Sequence, residues 1–239
     1  NLHQAQYPDF IVVILGIIIG IACGAFAGLI NGLLITRGKI PAFIATLGMM
    51  MAARGVTLII CGAQTIYGLP ASFSWLGGTQ YWWIPVSITG GLALIFAFVL
   101  TMTRFGRSLY AIGGNMTATK LSGIRVEFIC TIAYTFCGAM AGLAGLVLAS
   151  RTSVADPNAA LSYELDAIAA CVIGGASLMG GEGGAISALA GALIIMVLRN
   201  FCTIENFNVY WQQVFVGALL IILVFYDNLR KRLSGTIQS

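Results

Sequence analysis

Charged side chains and histidines are what this chain has least of. Only 8% of its 239 residues are Asp, Glu, Lys or Arg, against about 25% in an average soluble domain. Because a soluble protein cannot cover its surface with so few charges, the bilayer must be the solvent for most of this chain. Its apolar runs are long and unbroken rather than alternating, which predicts helices rather than membrane strands. The predicted fold class is an all-α polytopic membrane protein forming one transmembrane domain over residues 1–239.

The near-absence of histidine excludes the common catalytic and metal sites. The one histidine, His3, lies at the start of the chain, so neither a Ser-His-Asp set nor a His-based metal site is expected. The six cysteines lie in or beside apolar runs without CxxC spacing, which favours packing over zinc or disulfides. A GxxxxG pattern begins at Gly175, but Gly181 and Glu182 follow where a phosphate loop needs Lys and Ser or Thr. We therefore predict no catalytic residue, no metal, no cofactor and no enzyme activity in this chain.

Apolar segments are what the chain has in abundance. A helix of about 20 apolar residues crosses a bilayer. The fifth segment has only 15 residues, so it either starts earlier, at Tyr163 and Glu164, or forms a half-helix. The seven predicted spans are 10–35, 40–62, 82–103, 128–149, 165–179, 185–200 and 210–226.

Glycines recur every four residues in the first of these segments. That spacing places them on one face of a helix. Since helices in lipid associate through close packing, a face of small residues lets a second helix approach. We predict close helix packing there and on a similar face of the fourth span. The glycines concerned are Gly16, Gly20, Gly24, Gly28 and Gly32 in the first span, and Gly138, Gly142 and Gly145 in the fourth.

Basic residues fall mostly on one side of the predicted membrane. With seven alternating spans, nine Lys and Arg residues lie on one side and three on the other. By the positive-inside rule, the stretch 104–127 and the C-terminus are cytoplasmic, and the loops 63–81, 150–164 and 202–209 are external. Asn1 then lies outside, so we expect an odd number of spans to precede it and the chain to be N-terminally incomplete.

Four polar side chains in or beside the spans are candidates for lining a translocation path. Arg54 lies within the second span, where a charge usually faces a cavity or a partner, although it can also snorkel to the interface. Tyr163, Glu164 and Asp166 stand at the start of the fifth span. The two carboxylates either stabilise the positive end of a short helix or hydrogen-bond to a solute. The sequence leaves both interpretations open.

The stretch 104–127 is the longest polar interruption that carries positive charge. Asn115 is a good N-cap, residues 116–122 can form two helical turns, and Gly123 suits the position after a helix. One interpretation is an interfacial helix lying on lipid headgroups. The other is a docking helix for a cytoplasmic partner, with Met116, Ala118 and Leu121 as the contact residues.

Motifs along nearly the whole chain resemble the permeases of ribose-type sugar ABC importers. They include Gly106-Arg107, the run 111–115 (AIGGN) and the run 118–124 (ATKLSGI). Further similar motifs are 42–49 (AFIATLGM), Arg54-Gly55, 149–151 (ASR), 163–170 (YELDAIAA), Gly174-Gly175, Ser177-Leu178 and Gly180-Gly181.

The resemblance implies a complete assembly around this chain. It implies about ten spans per permease, two permease subunits, two cytoplasmic ATPases that bind ATP and Mg, and an external sugar-binding protein. The stretch 104–127 would be the coupling loop that docks onto the ATPase. The coupling residues would be Gly106, Arg107, Gly113, Gly114, Asn115, Met116, Ala118, Lys120, Leu121 and Gly123.

The expected function is therefore import of a monosaccharide, a pentose such as ribose or a related sugar, across a bacterial cytoplasmic membrane. A branched-chain amino-acid permease is the alternative within the same superfamily. A secondary transporter or channel without an ATPase, or a structural membrane scaffold, is the alternative from another class.

Overall fold

The structure of the protein is a computed structural model that describes residues 9–178 and 180–208 and parts of 211–225. The described part is helical, with one isolated β-bridge between Ile66 and Ala155. Its α-helices are α1 (Asp9–Thr36), α2 (Ala42–Cys61), α3 (Trp83–Met102), α4 (Arg104–Gly114), α5 (Met116–Leu121), α6 (Val126–Thr152), α7 (Tyr163–Ile173) and α8 (Ala185–Ile204). The all-α membrane fold predicted from the apolar runs is confirmed.

The number of spans is lower than predicted. Within the described residues, five helices are long and apolar enough to cross a membrane, namely α1, α2, α3, α6 and α8. The fifth predicted span is α7, whose 11 residues rise only about 16 Å at 1.5 Å each, roughly half of a ~30 Å hydrocarbon core. Of the 17 residues in the seventh predicted span, 210–226, ten are described, and all ten are helical.

The described chain divides into two compact units. One takes in the described residues up to Gly90 together with Arg125–Ala159, and the other takes in Gly91–Ile124 together with the described residues from Ala160 onward. The first unit contains α1, α2 and α6. The second contains α4, α5, α7 and α8, and α3 runs through the boundary.

The first unit is organised by an antiparallel contact between α1 and α6. A Cβ on Gly24 would overlap the carbonyl oxygen of Gly138, and one on Gly28 would overlap that of Tyr134. Towards one end of this contact the hydroxyls of Thr36 and Thr131 lie 3.1 Å apart. Backbone therefore packs on backbone, which only residues without a side chain permit.

Not every glycine of the two predicted faces takes part in this contact. Gly20, Gly32 and Gly142 also lie against the opposite helix, whereas a Cβ on Gly16 or Gly145 would meet nothing within 4 Å. The four-residue spacing thus extends one turn beyond the contact at one end of α1.

The loop between α2 and α3 folds back onto the same helix pair. Two short 3-10 helices, Ala71–Leu76 and Thr79–Tyr81, interrupt it. Phe73 and Leu76 are buried against Val13 of α1 and against the C-terminal part of α6. The fully buried Ser150 hydroxyl donates a 2.7 Å hydrogen bond to the Phe73 carbonyl, so this end of the unit is closed by a small packed cap.

Candidate functional site

The polar stretch after α3 forms two helices rather than one. Within the predicted coupling loop 104–127, residues 104–114 form α4, and the short helix predicted after Asn115 is α5. The Thr103 side chain caps α4 by accepting a hydrogen bond from the Gly106 amide at 3.2 Å. The signal that sequence reasoning missed is the apolar spacing of Phe105, Leu109 and Ile112, which marks one face of a helix.

Asn115 and Gly123 bound α5 as the sequence indicated. The Asn115 Oδ1 accepts a 2.9 Å hydrogen bond from the Ala118 amide, which satisfies one of the free donors at the helix start. The chain turns away at Gly123 with a φ of 81°, in the left-handed region that glycine adopts without strain. These two residues confine the helix to Met116–Leu121.

The side chains of α5 project almost entirely into open space. Leu121 is 85% exposed and Met116 is 57% exposed, and Ala118 and Lys120 are exposed beside them. Only Thr119 is buried, at 5% exposure. Two exposed apolar side chains on one short, capped helix form a surface with an apolar centre, of the kind that protein partners bury.

Gly106 and Arg107 tie α4 to the end of α3. Gly106 is buried, and a Cβ there would overlap the backbone of Leu100. Arg107 is exposed, and its guanidinium donates a 3.2 Å hydrogen bond to the Met102 carbonyl, one of the free acceptors at the C-terminal end of α3. Both residues therefore hold α4 against the end of α3, and their part in ATPase coupling stays a prediction.

The glycine-rich turn between α7 and α8 packs directly on α4. Gly113 lies against the backbone of Gly180 and Gly181, so closely that a Cβ on Gly113 would overlap the Gly181 amide nitrogen. The Tyr110 hydroxyl donates a 2.6 Å hydrogen bond to the Gly183 carbonyl. The turn is thus joined to the helix that precedes α5, a role that its sequence alone does not indicate.

Replacing Gly113 with valine is expected to separate this turn from α4. The obstructing atoms are backbone and cannot move aside as a flexible side chain would, so overpacking should exceed the usual ~1–3 kcal/mol. We expect the purified protein to lose thermal stability. The matched control is Gly114→Val, because a Cβ on Gly114 meets nothing within 4 Å. Equal behaviour of the two variants would contradict this contact.

The candidate path residues lie in two different places. Arg54 is partly exposed within α2, in the first unit. Asp166 lies on α7 in the second unit and forms a 2.5 Å ion pair with Arg199 of α8. The Arg199 guanidinium also lies over the Tyr163 ring, 5.7 Å from its centroid. Glu164, between Tyr163 and Asp166 in sequence, is exposed.

Arg199 is the residue that sequence reasoning did not connect with Asp166. In sequence it is an arginine near the end of an apolar run, which is typical of a snorkelling side chain. The antiparallel packing of α7 on α8, with Gly174 against Ser187 and Gly191 against Ala170, brings it to Asp166. A charged residue in each of two neighbouring apolar segments was the available signal.

A cavity of about 210 Å³ adjoins this pair. Tyr163, Asp166 and Arg199 supply its polar groups, and Ala167, Ala170, Ala192, Ile195 and Met196 form the rest of its wall. All of these residues belong to α7 or α8.

Comparison with known proteins gives the family of the chain. The family described as branched-chain amino acid transport system / permease component matches residues 2–224. The chain belongs to this permease family. The permease is a multi-pass membrane protein, as its helices indicate. No match was found among solved structures.

Several curated relatives cover most of the permease. It is 41% identical over 214 residues to the ribose import permease protein RbsC of Escherichia coli strain K12, covering 87% of the permease and 67% of that relative. It is 44% identical over 218 residues to RbsC of Bacillus subtilis strain 168, covering 90% and 68% respectively. It is 38% identical over 231 residues to the D-allose transport system permease protein AlsC of E. coli strain K12, covering 96% and 70%. The resemblance to ribose-type permeases is therefore confirmed.

Proposed function

We propose that the permease is the membrane-spanning subunit of an ATP-driven importer that carries a monosaccharide, ribose or a related sugar, across a bacterial cytoplasmic membrane. The observation that carries the proposal is the 38–44% identity to permeases named for ribose and allose, which extends over nearly the whole chain. The family description also admits branched-chain amino acids as the solute, so this is the second candidate.

The proposed partners are those that the resemblance to ribose-type importers implies. The exposed apolar face of α5 docks onto a cytoplasmic ATPase, which binds the ATP and Mg. The excess of basic residues around α4 and α5 and near the C-terminus supports a cytoplasmic position for both by the positive-inside rule. A second permease subunit, identical or related, and an external sugar-binding protein complete the importer.

Energy transfer in this proposal begins at α5. Closure of the ATPases moves α5. Because only one residue, Asn115, separates α5 from α4, a movement of α5 also moves α4. The Gly113–Gly181 contact and the Tyr110–Gly183 hydrogen bond pass the movement to the turn before α8. The α7–α8 hairpin then shifts with α4. The permease itself performs no chemistry; it converts the movement of its partner into a change of solute access.

Reconstitution tests the proposal directly. The full-length permease, its ATPase and its binding protein are placed in proteoliposomes, and uptake of labelled D-ribose, D-allose and L-leucine is measured with and without ATP. We expect ATP-dependent sugar uptake that disappears when the ATPase lacks its phosphate-loop lysine. Uptake of leucine alone would favour the amino-acid alternative, and sugar uptake without ATPase would indicate a secondary transporter.

A further inference from the structure

The antiparallel contact of α1 with α6 brings basic residues from two distant segments to the same end of the first unit. Gly32 of α1 lies against Thr131 of α6. About one turn further along α1, and about one turn back along α6, each helix reaches its end. Arg37 and Lys39 follow the end of α1, and Arg125 immediately precedes α6. These three residues are called the basic patch below.

The charges of the basic patch are open to an external anion. All three side chains are exposed. Neither Arg37 nor Lys39 forms an ion pair or a side-chain hydrogen bond with any residue that the structure describes. The segments 36–44 and 124–131 contain one acidic residue, Glu127, so cations outnumber carboxylates by three to one at this end of the helix pair.

Arg125 stands at the end of α6 where a positive charge is least favourable. A helix N-terminus carries a partial positive charge, so it attracts anions and repels cations. Arg125 is the N-cap residue of the 27-residue α6, and its side chain makes no capping hydrogen bond. Its guanidinium instead lies over the exposed Phe128 ring, 5.8 Å from the centroid, which keeps the charge beside the helix end. An anion bound here would offset the repulsion between the arginine and the helix end.

The turn that carries Arg37 and Lys39 is ordered by its backbone. The amides of Arg37 and Gly38 both donate to the Leu33 carbonyl, at 2.9 and 3.1 Å. Lys39 has a φ of 53°, in the left-handed region that residues other than glycine seldom adopt. The two basic side chains therefore extend from a defined backbone, which lowers the ordering cost of binding a ligand.

The level of the basic patch in the membrane indicates a lipid as its occupant. The 28 residues of α1 rise about 42 Å at 1.5 Å each, so this helix extends past a ~30 Å hydrocarbon core into the headgroup layer. Phe43 in the first turn of α2 is 73% exposed, and Phe128 in the first turn of α6 is 60% exposed. Exposed rings at the start of two spans, beside unpaired cations, suit an amphiphile with an anionic head and apolar chains.

We propose that Arg37, Lys39 and Arg125 bind the phosphate group of one anionic phospholipid, whose acyl chains lie along Phe43 and Phe128. Arginine suits a phosphate because its planar fork donates two parallel hydrogen bonds. Anionic lipids give the cytoplasmic leaflet its negative surface potential, and the positive-inside rule favours that side for these basic residues. The bound lipid joins the end of α1 to the start of α6, whichever solute the permease carries.

Titration with two lipids tests the site. The full-length permease in detergent receives phosphatidylglycerol or phosphatidylcholine, and the lipid-bound fraction is measured by native mass spectrometry. We expect Arg125→Gln to weaken phosphatidylglycerol binding about 5-fold, and Arg37→Gln combined with Lys39→Gln to weaken it about 25-fold. Phosphatidylcholine, whose headgroup has no net charge, should bind more weakly and respond to neither change. The control is Arg151→Gln, which removes an exposed arginine from the last turn of the same helix and should leave both affinities unchanged.

Four results would overturn the proposal. Two are equal phosphatidylglycerol affinity in the unaltered permease and in the Arg125→Gln and double variants, and equal affinity of the unaltered permease for the two lipids. Displacement of phosphatidylglycerol by millimolar inorganic phosphate would reassign the basic patch to free phosphate, whereas we expect none because the acyl chains add to binding. Loss of ATPase association in Arg125→Gln with unchanged lipid binding would reassign it to the ATPase.

Discussion

Valine at Gly28 is expected to abolish correct folding of the permease. A Cβ there would overlap the Tyr134 carbonyl oxygen and approach the backbone of Gly138 and Thr135. Because these are backbone atoms on the opposite helix, α1 and α6 must move apart along their whole contact. The loss should exceed the ~1–3 kcal/mol of ordinary overpacking, and in lipid no hydrophobic force restores the contact. We expect the yield of monodisperse protein to fall at least 10-fold.

The chain offers a matched control on the same helix. Gly16 belongs to the same four-residue series of glycines on α1 as Gly28. A Cβ on Gly16 meets nothing within 4 Å, so Gly16→Val adds the same side chain without an overlap. Both variants are expressed in the full-length permease and compared by size-exclusion profile and thermal aggregation temperature in detergent. The Gly16→Val variant should have the size-exclusion profile and aggregation temperature of the unaltered permease. Gly24→Val should lower the yield of monodisperse protein as much as Gly28→Val does. Equal tolerance of valine at Gly16 and Gly28 would contradict the α1–α6 contact.

Gly16 and Gly28 also show how much of the fold can be predicted from the sequence. The apolar runs predicted the class of protein, since a chain with 8% charged residues has the bilayer as its main solvent. In lipid, a helix satisfies its backbone hydrogen bonds internally. The four-residue spacing gave the face of α1 but not its partner, because any helix with small residues satisfies the same pattern. It also included Gly16, which lies beyond the contact. Spacing describes one helix, whereas contact depends on how closely a second helix approaches at each turn.

The parts that sequence reasoning missed all depend on contacts between distant segments. Hydropathy alone gives little weight to α4, because its apolar residues alternate with Arg104, Arg107 and Ser108. The role of Gly181 depends on its approach to Gly113, 68 residues earlier in the chain. Arg199 looks like a snorkelling residue until α7 is placed beside α8. Local signals such as the Asn115 cap and Gly123 were predictable, because each is satisfied within one or two turns.

Aspartate at Leu121 is expected to disconnect the permease from its ATPase without weakening the permease itself. Leu121 is 85% exposed, so the substitution removes almost no internal contact and stability should change by less than ~0.5 kcal/mol. If α5 docks onto the ATPase, the same position becomes the centre of a buried interface, where loss of an anchor costs about 2 kcal/mol or more. A charge buried there without a partner adds a further penalty. We expect at least 30-fold weaker ATPase association and loss of ATP-driven uptake.

The control is the same substitution on the side predicted to be external. Leu161 is 51% exposed in the segment between α6 and α7, so Leu161→Asp adds an equal charge away from the ATPase. Co-purification of the ATPase, its hydrolysis rate and sugar uptake are measured for both variants. The alternative of an α5 that rests on lipid headgroups makes a different prediction, because Leu121→Asp would then leave the ATPase bound. Retained ATPase association together with retained uptake in Leu121→Asp would therefore exclude α5 as the docking helix, since Leu121 is the most exposed apolar side chain of that helix.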